Sequence, residues 1–172
     1  MSFKKDLGSK LFFVGLCLIV VGVIILLNKK VEIFNAPTPM LTPAPISYAK
    51  VVRVYDGDTI EIDTGQKVRY IGVDSAEIHP TFQCFSKEAK KENESLVLEK
   101  EIKLVKDTSE TDKYGRLLRY VYVGNVLVND YMVRNGYAKV MTVPPDIKYV
   151  NQFLELEKIA RENNLGLWKI CP

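Results

Sequence analysis

The chain is short of histidine and cysteine, with one and three of them in 172 residues. The single histidine, His79, is followed by Pro80 in a stretch with loop character, and we assign it no acid or base role. Outside the N-terminus the chain also lacks an excess of either charge. Its 24 lysines and arginines include five in residues 1–30, and its 21 acidic residues include Asp6 and Glu32, so equal numbers remain. Net charge therefore gives no evidence for a polyanionic partner.

Residues 11–27 (LFFVGLCLIVVGVIILL) lack charge altogether, and lysines flank them on both sides. At about 1.5 Å per residue this segment spans roughly 25 Å, the short end of what crosses a bilayer core. No small-residue cleavage site follows it, and the large Leu16 argues against lipid modification of Cys17. We predict an uncleaved transmembrane helix, a signal anchor, over residues 11–27, preceded by a basic segment over residues 1–10.

The charges beside this predicted helix indicate its orientation. Three lysines precede it, against Asp6, and two follow it, with Glu32 close behind. By the positive-inside rule, the larger cationic excess places the N-terminus in the cytoplasm. We therefore expect a single-pass protein of the cell membrane, with the rest of the chain on the extracytoplasmic side.

A proline-rich stretch follows, with four prolines between residues 35 and 46 (NAPTPMLTPAPI). Proline fixes φ and has no backbone N–H, so helices and strand ladders are disfavoured and an extended spacer is favoured. Such a spacer rises about 3.1 Å per residue and could hold a domain tens of ångströms from the lipid. We assign residues 28–46 to a linker.

The remainder, residues 47–172, has the periodicity of a small α+β domain without internal repeats. Segments rich in β-branched residues predict strands over residues 48–54, 59–62, 67–73, 101–106 and 117–123. Helical periodicity predicts helices over residues 86–98, with Ser86 suited to the N-cap, 128–135 and 147–163. Five strands and about three helices in this order fit a five-stranded barrel of the OB type, although periodicity also allows another α+β packing.

Two cysteines, Cys84 and Cys171, lie outside the predicted membrane helix. In an exported domain such a pair favours a disulfide, which would pin the C-terminal tail to the loop before the Ser86 helix. The alternative is two unpaired thiols.

Three short segments combine carboxylates with arginines: YDGDT at residues 55–59, VRYIGVDSAE at 68–77 and TDKYGR at 111–116. Taken singly, each has an ordinary explanation, since Asp-Gly-Asp before a strand is most often a turn. Residues 56–61 also lack the spacing of an EF-hand. Together and in this order, they resemble the staphylococcal nuclease (thermonuclease) family, with its DGDT, R-x-x-x-V-D-[ST]-x-E and TDKYGR motifs.

Further matches extend the resemblance over residues 47–168. They are Val128-Asn129 before a helix, Arg134-Asn135-Gly136-Tyr137-Ala138, and Gly166-Leu167-Trp168. The resemblance implies that the two catalytic arginines are Arg69 and Arg116, and that Glu77 is the catalytic glutamate that orients or deprotonates the attacking water. A planar guanidinium can bind two phosphate oxygens at once, which a lysine cannot reproduce.

The resemblance also implies a site for one Ca²⁺ ion. The side chains of Asp58 and Asp74 and the backbone carbonyl of Ser75 fall on the family's metal ligands, and calcium prefers such oxygen donors. Lys113 and Tyr114 match positions that contact a terminal phosphate of the substrate. The implied activity is calcium-dependent hydrolysis of DNA and RNA, preferentially single-stranded, with 3′-phosphate ends as products.

The sequence departs from the family in two places. Residues 140–145 (VMTVPP) stand where the founding enzyme has aromatic residues that stack on the bound nucleotide, which points to altered base recognition. Ala76 replaces the usual proline before Glu77, which removes a restraint on φ. Two alternatives remain open, a non-catalytic nucleic-acid-binding module of the OB type and a surface scaffolding domain. The retained arginines and carboxylates favour the enzyme over both.

Overall fold

The computed structural model describes residues 46–79 and 81–171. The predicted basic segment and membrane helix, and the linker up to residue 45, lie outside the described residues. No helix in the part of the chain that the structure describes is long and apolar enough to cross a membrane. The linker's last residue, Ile46, is the first residue of a strand.

Eight strands and four helices make up the described domain. The strands are β1 Ile46–Val54, β2 Thr59–Ile62, β3 Lys67–Tyr70, β4 Val73–Ser75, β5 Glu101–Val105, β6 Leu117–Val123, β7 Val126–Leu127 and β8 Ala138–Val140. The helices are α1 Ser86–Val97, α2 Val128–Arg134, α3 Val150–Glu162 and α4 Leu167–Ile170. The three predicted helices are present, and the short α4 is an addition near the C-terminus.

Five of the strands close into a barrel in the order β3-β2-β1-β5-β6. Every neighbouring pair in this order is antiparallel, and a parallel pairing of β6 with β3 completes the ring. The predicted five-stranded barrel of the OB type is thereby confirmed. The buried core of the domain includes large apolar and aromatic side chains from the barrel strands and from α3: Tyr70, Tyr120, Ile60, Ile102 and Leu104 from the strands and Phe153 from the helix.

The predicted single strand over residues 67–73 is wrong, because the chain turns at Gly72. This glycine has a φ of 79°, which side-chain-bearing residues rarely adopt, and a Cβ there would lie 2.8 Å from the Phe153 ring. The apolar run continues through the turn, so its composition did not reveal the break. After the turn, β4 leaves the barrel and pairs with β8.

The predicted N-cap at Ser86 is also wrong. The position before the helix is Phe85, with a left-handed φ of 69°, and Ser86 is the first helical residue. The Ser86 hydroxyl is buried without a hydrogen-bond partner in the structure. The Phe85 ring stacks on Tyr137 with ring centroids 5.7 Å apart, so packing of the aromatic residue, not a serine cap, accompanies the start of α1.

Candidate active site

The turn between β1 and β2 brings Asp58 against β4. Asp58 N donates a hydrogen bond to Asp56 Oδ1 at 2.9 Å. Ser75 N of β4 in turn donates a hydrogen bond to Asp58 Oδ2 at 2.5 Å. Gly57 makes this approach possible, since a Cβ at that position would lie 2.6 Å from the Cβ of Ser75. The Asp-Gly-Asp segment is therefore a turn whose glycine lets two segments of the site touch.

Arg69 connects the two aspartates of the sequence motif. Its Nη1 lies 2.7 Å from Asp58 Oδ2, and its Nη2 lies 2.9 Å from Asp74 Oδ1. Nη1 also donates to the backbone oxygen of Val73 at 2.9 Å. Because Arg69 is on β3 and Asp74 on β4, the turn at Gly72 folds the chain back so that these charges meet.

Burial dominates the electrostatics of the two aspartates. The Asp58 side chain is fully buried, and this burial raises its pKa to about 6, with Arg69 opposing the rise and Asp56 reinforcing it. Asp74 keeps about half of its side chain exposed, and its pKa is also raised by burial, against the opposing charge of Arg69. A further cation beside these carboxylates would therefore favour their ionised forms.

The donor set here suits a hard divalent cation. Asp58 and Asp74 supply carboxylate oxygens, and the backbone oxygen of Ser75 belongs to the same short strand. Within residues 46–79 and 81–171, no group of three or more histidine, cysteine, aspartate or glutamate side chains is placed to hold a metal. A cation at this position would have two protein carboxylates and complete its coordination with backbone oxygen and water. Calcium commonly binds such a mixture of oxygen ligands.

Glu77 lies on the loop after β4, with its side chain exposed. Desolvation by its neighbours raises the pKa of the carboxyl, with Asp58 adding to the rise and Arg69 opposing it. Its backbone is held by Gln83, which precedes Cys84, and Cys84 forms a disulfide with Cys171. The loop that carries Glu77 is thus tied at its far end to the C-terminal tail.

Arg116 lies just before β6 in a turn organised by Asp112. Arg116 Nε donates to Asp112 Oδ2 at 2.7 Å, and the backbone N–H groups of Tyr114 and Arg116 both donate to Asp112 Oδ1. One carboxylate therefore sets both the turn and the direction of the guanidinium. Sequence reasoning did not assign this role to Asp112, although the residue lies within the TDKYGR motif.

Lys113 and Tyr114 protrude from the same turn, and Tyr114 is 72% exposed. A cavity of about 590 Å³ adjoins them, and we call it the Tyr114 cavity. Tyr114 and both arginines of the motifs, Arg69 and Arg116, line this cavity. The stretch that lacks aromatics adds three apolar residues to the lining: Met141, Val143 and Pro144. This volume is within the range typical of small-ligand pockets.

A second cavity, of about 220 Å³, shares Arg116 with the Tyr114 cavity and is lined by Glu77. The predicted site residues therefore fall into one region. Arg69, Asp58 and Asp74 are in direct contact, Arg116 and Glu77 share a cavity, and Lys113 and Tyr114 border the Tyr114 cavity. His79 lines the smaller cavity beside Glu77, a position that sequence reasoning left without a role.

Two buried asparagines support the site and were missed as structural determinants. Asn93 accepts a hydrogen bond from the Tyr70 hydroxyl and donates to the backbone oxygen of Asp56, both at 2.9 Å. Asn129 accepts from Val121 N and donates to the backbone oxygen of Ile71. A signal existed for Asn93, because it falls at helical spacing between the small or apolar Ala89 and Val97 of α1.

Comparison with known proteins places this arrangement among nucleases. Residues 67–170 match the family model described as staphylococcal nuclease homologue. The chain is 32% identical over 159 residues to the thermonuclease of Staphylococcus hyicus, covering 88% of this chain and 94% of that protein. It is 34% identical over 125 residues to the thermonuclease of Staphylococcus intermedius, covering 69% and 74%. Against endonuclease YncB of Bacillus subtilis the identity is 39% over 124 residues, covering 67% and 59%.

Proposed function

The chain belongs to the staphylococcal nuclease family, and from this premise we infer that it is an endonuclease-type phosphodiesterase that hydrolyses nucleic acids. We propose calcium as its cofactor, single-stranded DNA and RNA as its preferred substrates, and 3′-phosphate ends as its products. The oxygen donors of Asp58, Asp74 and Ser75 support the cofactor, and the open cavities beside Arg116 support a flexible polymeric substrate.

The observation that carries this proposal is the preset orientation of two arginines that line one cavity. Arg69 is fixed between Asp58 and Asp74, and Arg116 is fixed by Asp112. A phosphate that enters the Tyr114 cavity meets guanidinium groups that are already oriented. Such preorganisation stabilises charge that develops during the reaction without a cost of reorganisation at that moment.

In the mechanism that we propose, water attacks phosphorus in line with the 5′-oxygen, the bond from phosphorus to that oxygen breaks, and the oxygen takes a proton from solvent and leaves as a 5′-hydroxyl. Arg69 and Arg116 bind the non-bridging oxygens, whose negative charge grows in the pentacoordinate transition state. Glu77 orients the attacking water and accepts its proton, a role that its raised pKa assists. Calcium bound by Asp58, Asp74 and the Ser75 carbonyl would supply additional positive charge to the phosphate.

The competing function is a module that binds nucleic acid without cleaving it. The pair of carboxylates formed by the buried Asp58 and the half-exposed Asp74 argues against this alternative, because carboxylates near a phosphate repel it unless a cation is present. Binding alone would also give no reason to hold Glu77 in an exposed loop with a raised pKa. Catalysis accounts for both features.

The test uses the full chain, purified in a mild detergent, with single-stranded DNA and either calcium or a chelator. We expect calcium-dependent cleavage that falls by two or more orders of magnitude in Arg116→Ala and in Glu77→Ser, since each removes transition-state stabilisation. Arg134→Ala is the matched control, because Arg134 is an exposed arginine of α2 that pairs with Asp130 and lines no cavity of the site. Binding without cleavage would favour the module, and equal, chelator-resistant cleavage by all variants would contradict the assignment.

We also propose that residues 11–27 anchor the enzyme in the cell membrane with the nuclease domain outside the cytoplasm. The uncharged segment and its flanking lysines support this topology. External protease added to intact cells should release the domain under the proposed topology. Release only after the membrane is permeabilised would place the domain in the cytoplasm, and full solubility without detergent would contradict the anchor.

A further inference from the structure

Three cavities of the described domain are linked by shared lining residues. The Tyr114 cavity shares Arg116 with the cavity of about 220 Å³ that contains Glu77. That cavity in turn shares Tyr55, Ile78 and His79 with a third, of about 450 Å³, at the edge of β1 and α1. The cavity that contains Glu77 and Arg116 therefore adjoins both of the others, and the third cavity extends the site beyond these proposed catalytic residues.

The third cavity has an ordered tyrosine in its lining. The Tyr55 hydroxyl donates to Glu61 Oε2 at 2.5 Å, which fixes the direction of the ring. Lys67 Nζ lies 4.4 Å and Arg53 Cζ 5.8 Å from the ring centroid. Both cations lie over the ring, and an aromatic ring together with positive charge is the combination used by proteins that bind single-stranded nucleic acids.

The charges around the ring favour an anionic ligand. Arg53 and Lys67 are exposed and form no salt bridge within the described residues, and Lys90 lines the third cavity. Glu94 lies 3.8 Å from Lys90, and Asp56 and Glu77 line the adjoining cavity of about 220 Å³. At the ring itself, the two cations Arg53 and Lys67 stand against one carboxylate, that of Glu61, which accepts the Tyr55 hydrogen bond.

We propose that Tyr55, Lys67, Ile78 and His79 form a second nucleotide subsite, here called the Tyr55 groove. It binds the nucleotide on the opposite side of the scissile phosphate from the Tyr114 cavity. A base packs against Tyr55 and Ile78, and the adjoining phosphate lies near Lys67 and Arg53. The inference rests on the proposed function, because it takes the phosphate at Arg116 as the scissile one.

The missing aromatics in the stretch from Val140 to Pro145 give this subsite its importance. On that side of the site the cavity wall offers Met141, Val143 and Pro144, none of which can stack on a base as an aromatic ring does. The exposed ring of Tyr114 remains in that cavity, and Tyr55 supplies a second ring in the cavity that shares Arg116. Substrate affinity in this chain is thus expected to include a contribution from the nucleotide at the Tyr55 groove.

The experiment uses the full chain with calcium and oligonucleotides in which one ordinary phosphodiester is flanked by phosphorothioate linkages. One series is shortened on the 5′ side of that phosphodiester and the other on the 3′ side, so each series reports on one flank. The quantity measured is the ratio of kcat/KM between the extended and the shortened substrate. Wild type should prefer the extended substrate over the shortened one, by this ratio, in the series that varies the flank occupying the Tyr55 groove.

Tyr55→Ala should lower kcat/KM for the extended substrate about tenfold, the size of one lost base–aromatic stack, and remove the preference on one flank only. Tyr55→Phe keeps the ring and should keep the preference. Lys67→Gln should weaken the salt dependence of binding by the share of about one phosphate contact. Tyr48→Ala is the matched control, since Tyr48 is a tyrosine of β1, the strand that ends just before Tyr55, and it is 65% exposed and lines none of the three cavities.

An equal loss by Tyr55→Ala on both flanks would indicate a merely structural role and overturn the subsite, as would an unchanged preference. Failure of wild type to cleave any substrate would be a failure of the proposed function, a separate result. In that case the anisotropy of fluorescent, fully phosphorothioate oligonucleotides decides the question. The subsite is then overturned if Tyr55→Ala binds extended and shortened oligonucleotides in the same ratio as wild type.

Discussion

Glu77 and Gln83 hold each other through two hydrogen bonds of 3.0 Å. Glu77 N donates to Gln83 Oε1, and Gln83 N donates to the backbone oxygen of Glu77. The loop between them is closed by these bonds, and the disulfide of the next residue, Cys84, secures its end. Glu77 is exposed, so its position depends on this closure and not on packing around its side chain.

Gln83→Met keeps the length of the side chain but removes the acceptor for Glu77 N. We expect kcat to fall about tenfold with little change in KM, because Gln83 positions the proposed base and does not contact the substrate. Steady-state kinetics with single-stranded DNA measure both parameters. Gln152→Met is the control, since it removes a comparable hydrogen bond of an exposed side-chain amide, which Gln152 of α3 donates to Asp130. A rise in KM at constant kcat would instead assign Gln83 to substrate binding.

Replacing both cysteines of the Cys84–Cys171 pair by serine should destabilise the domain and lower its activity. The bond spans 87 residues of sequence, and loss of such a crosslink costs about 2–5 kcal/mol of unfolding free energy. Urea unfolding of wild type and double variant measures the difference. Activity should also fall under conditions where the variant is fully folded, because the Glu77 loop loses its anchor. Unchanged activity there would show that the Gln83 bonds suffice.

Gly57→Ala should cost activity out of proportion to stability. The added Cβ would lie 2.6 Å from the Cβ of Ser75, so β4 must move away from Asp58 and the bond from Ser75 N lengthens. We expect at least a tenfold loss of kcat/KM. Gly65→Ala is the contrasting variant, because its φ of 80° makes alanine strained while no atom lies within 4 Å of the new Cβ. Gly65→Ala should lose stability and keep the activity of its folded fraction.

Calcium should stabilise the folded domain against heat. At a concentration 100 times its dissociation constant, a ligand that binds only the folded state adds about 2.7 kcal/mol, which corresponds to a rise of several degrees in Tm. Circular dichroism melts with calcium and with chelator measure this rise in wild type and in Asp74→Asn. The variant removes a carboxylate that is half exposed, so it should fold and lose the calcium-dependent rise. An equal rise in both proteins would exclude Asp74 as a ligand.

The barrel strands were predictable because the alternation of apolar and polar residues that marks each strand lies within a short segment of sequence. Segments 48–54, 59–62 and 117–123 match β1, β2 and β6 closely, and the ordered motifs named the residues that the structure brings together at one face. One error arose where a local pattern continued through a change of direction. The apolar run through Gly72 is the example. The error at Ser86 has a different cause, because serine is suited to the N-cap but Phe85 occupies that position.

The sequence by itself determined the strand and helix content, the order of the motifs and the residue types of the site. Only the tertiary structure decided that one guanidinium, Arg69, would join two aspartates from different segments, that Asn93 would hold the Asp56 turn, and that Gln83 would restrain Glu77. It also decided that Tyr55 and Tyr114 would line two different cavities that share Arg116. Periodicity reports neighbours a few residues apart, whereas these relations depend on strand pairing and burial between residues far apart in the chain.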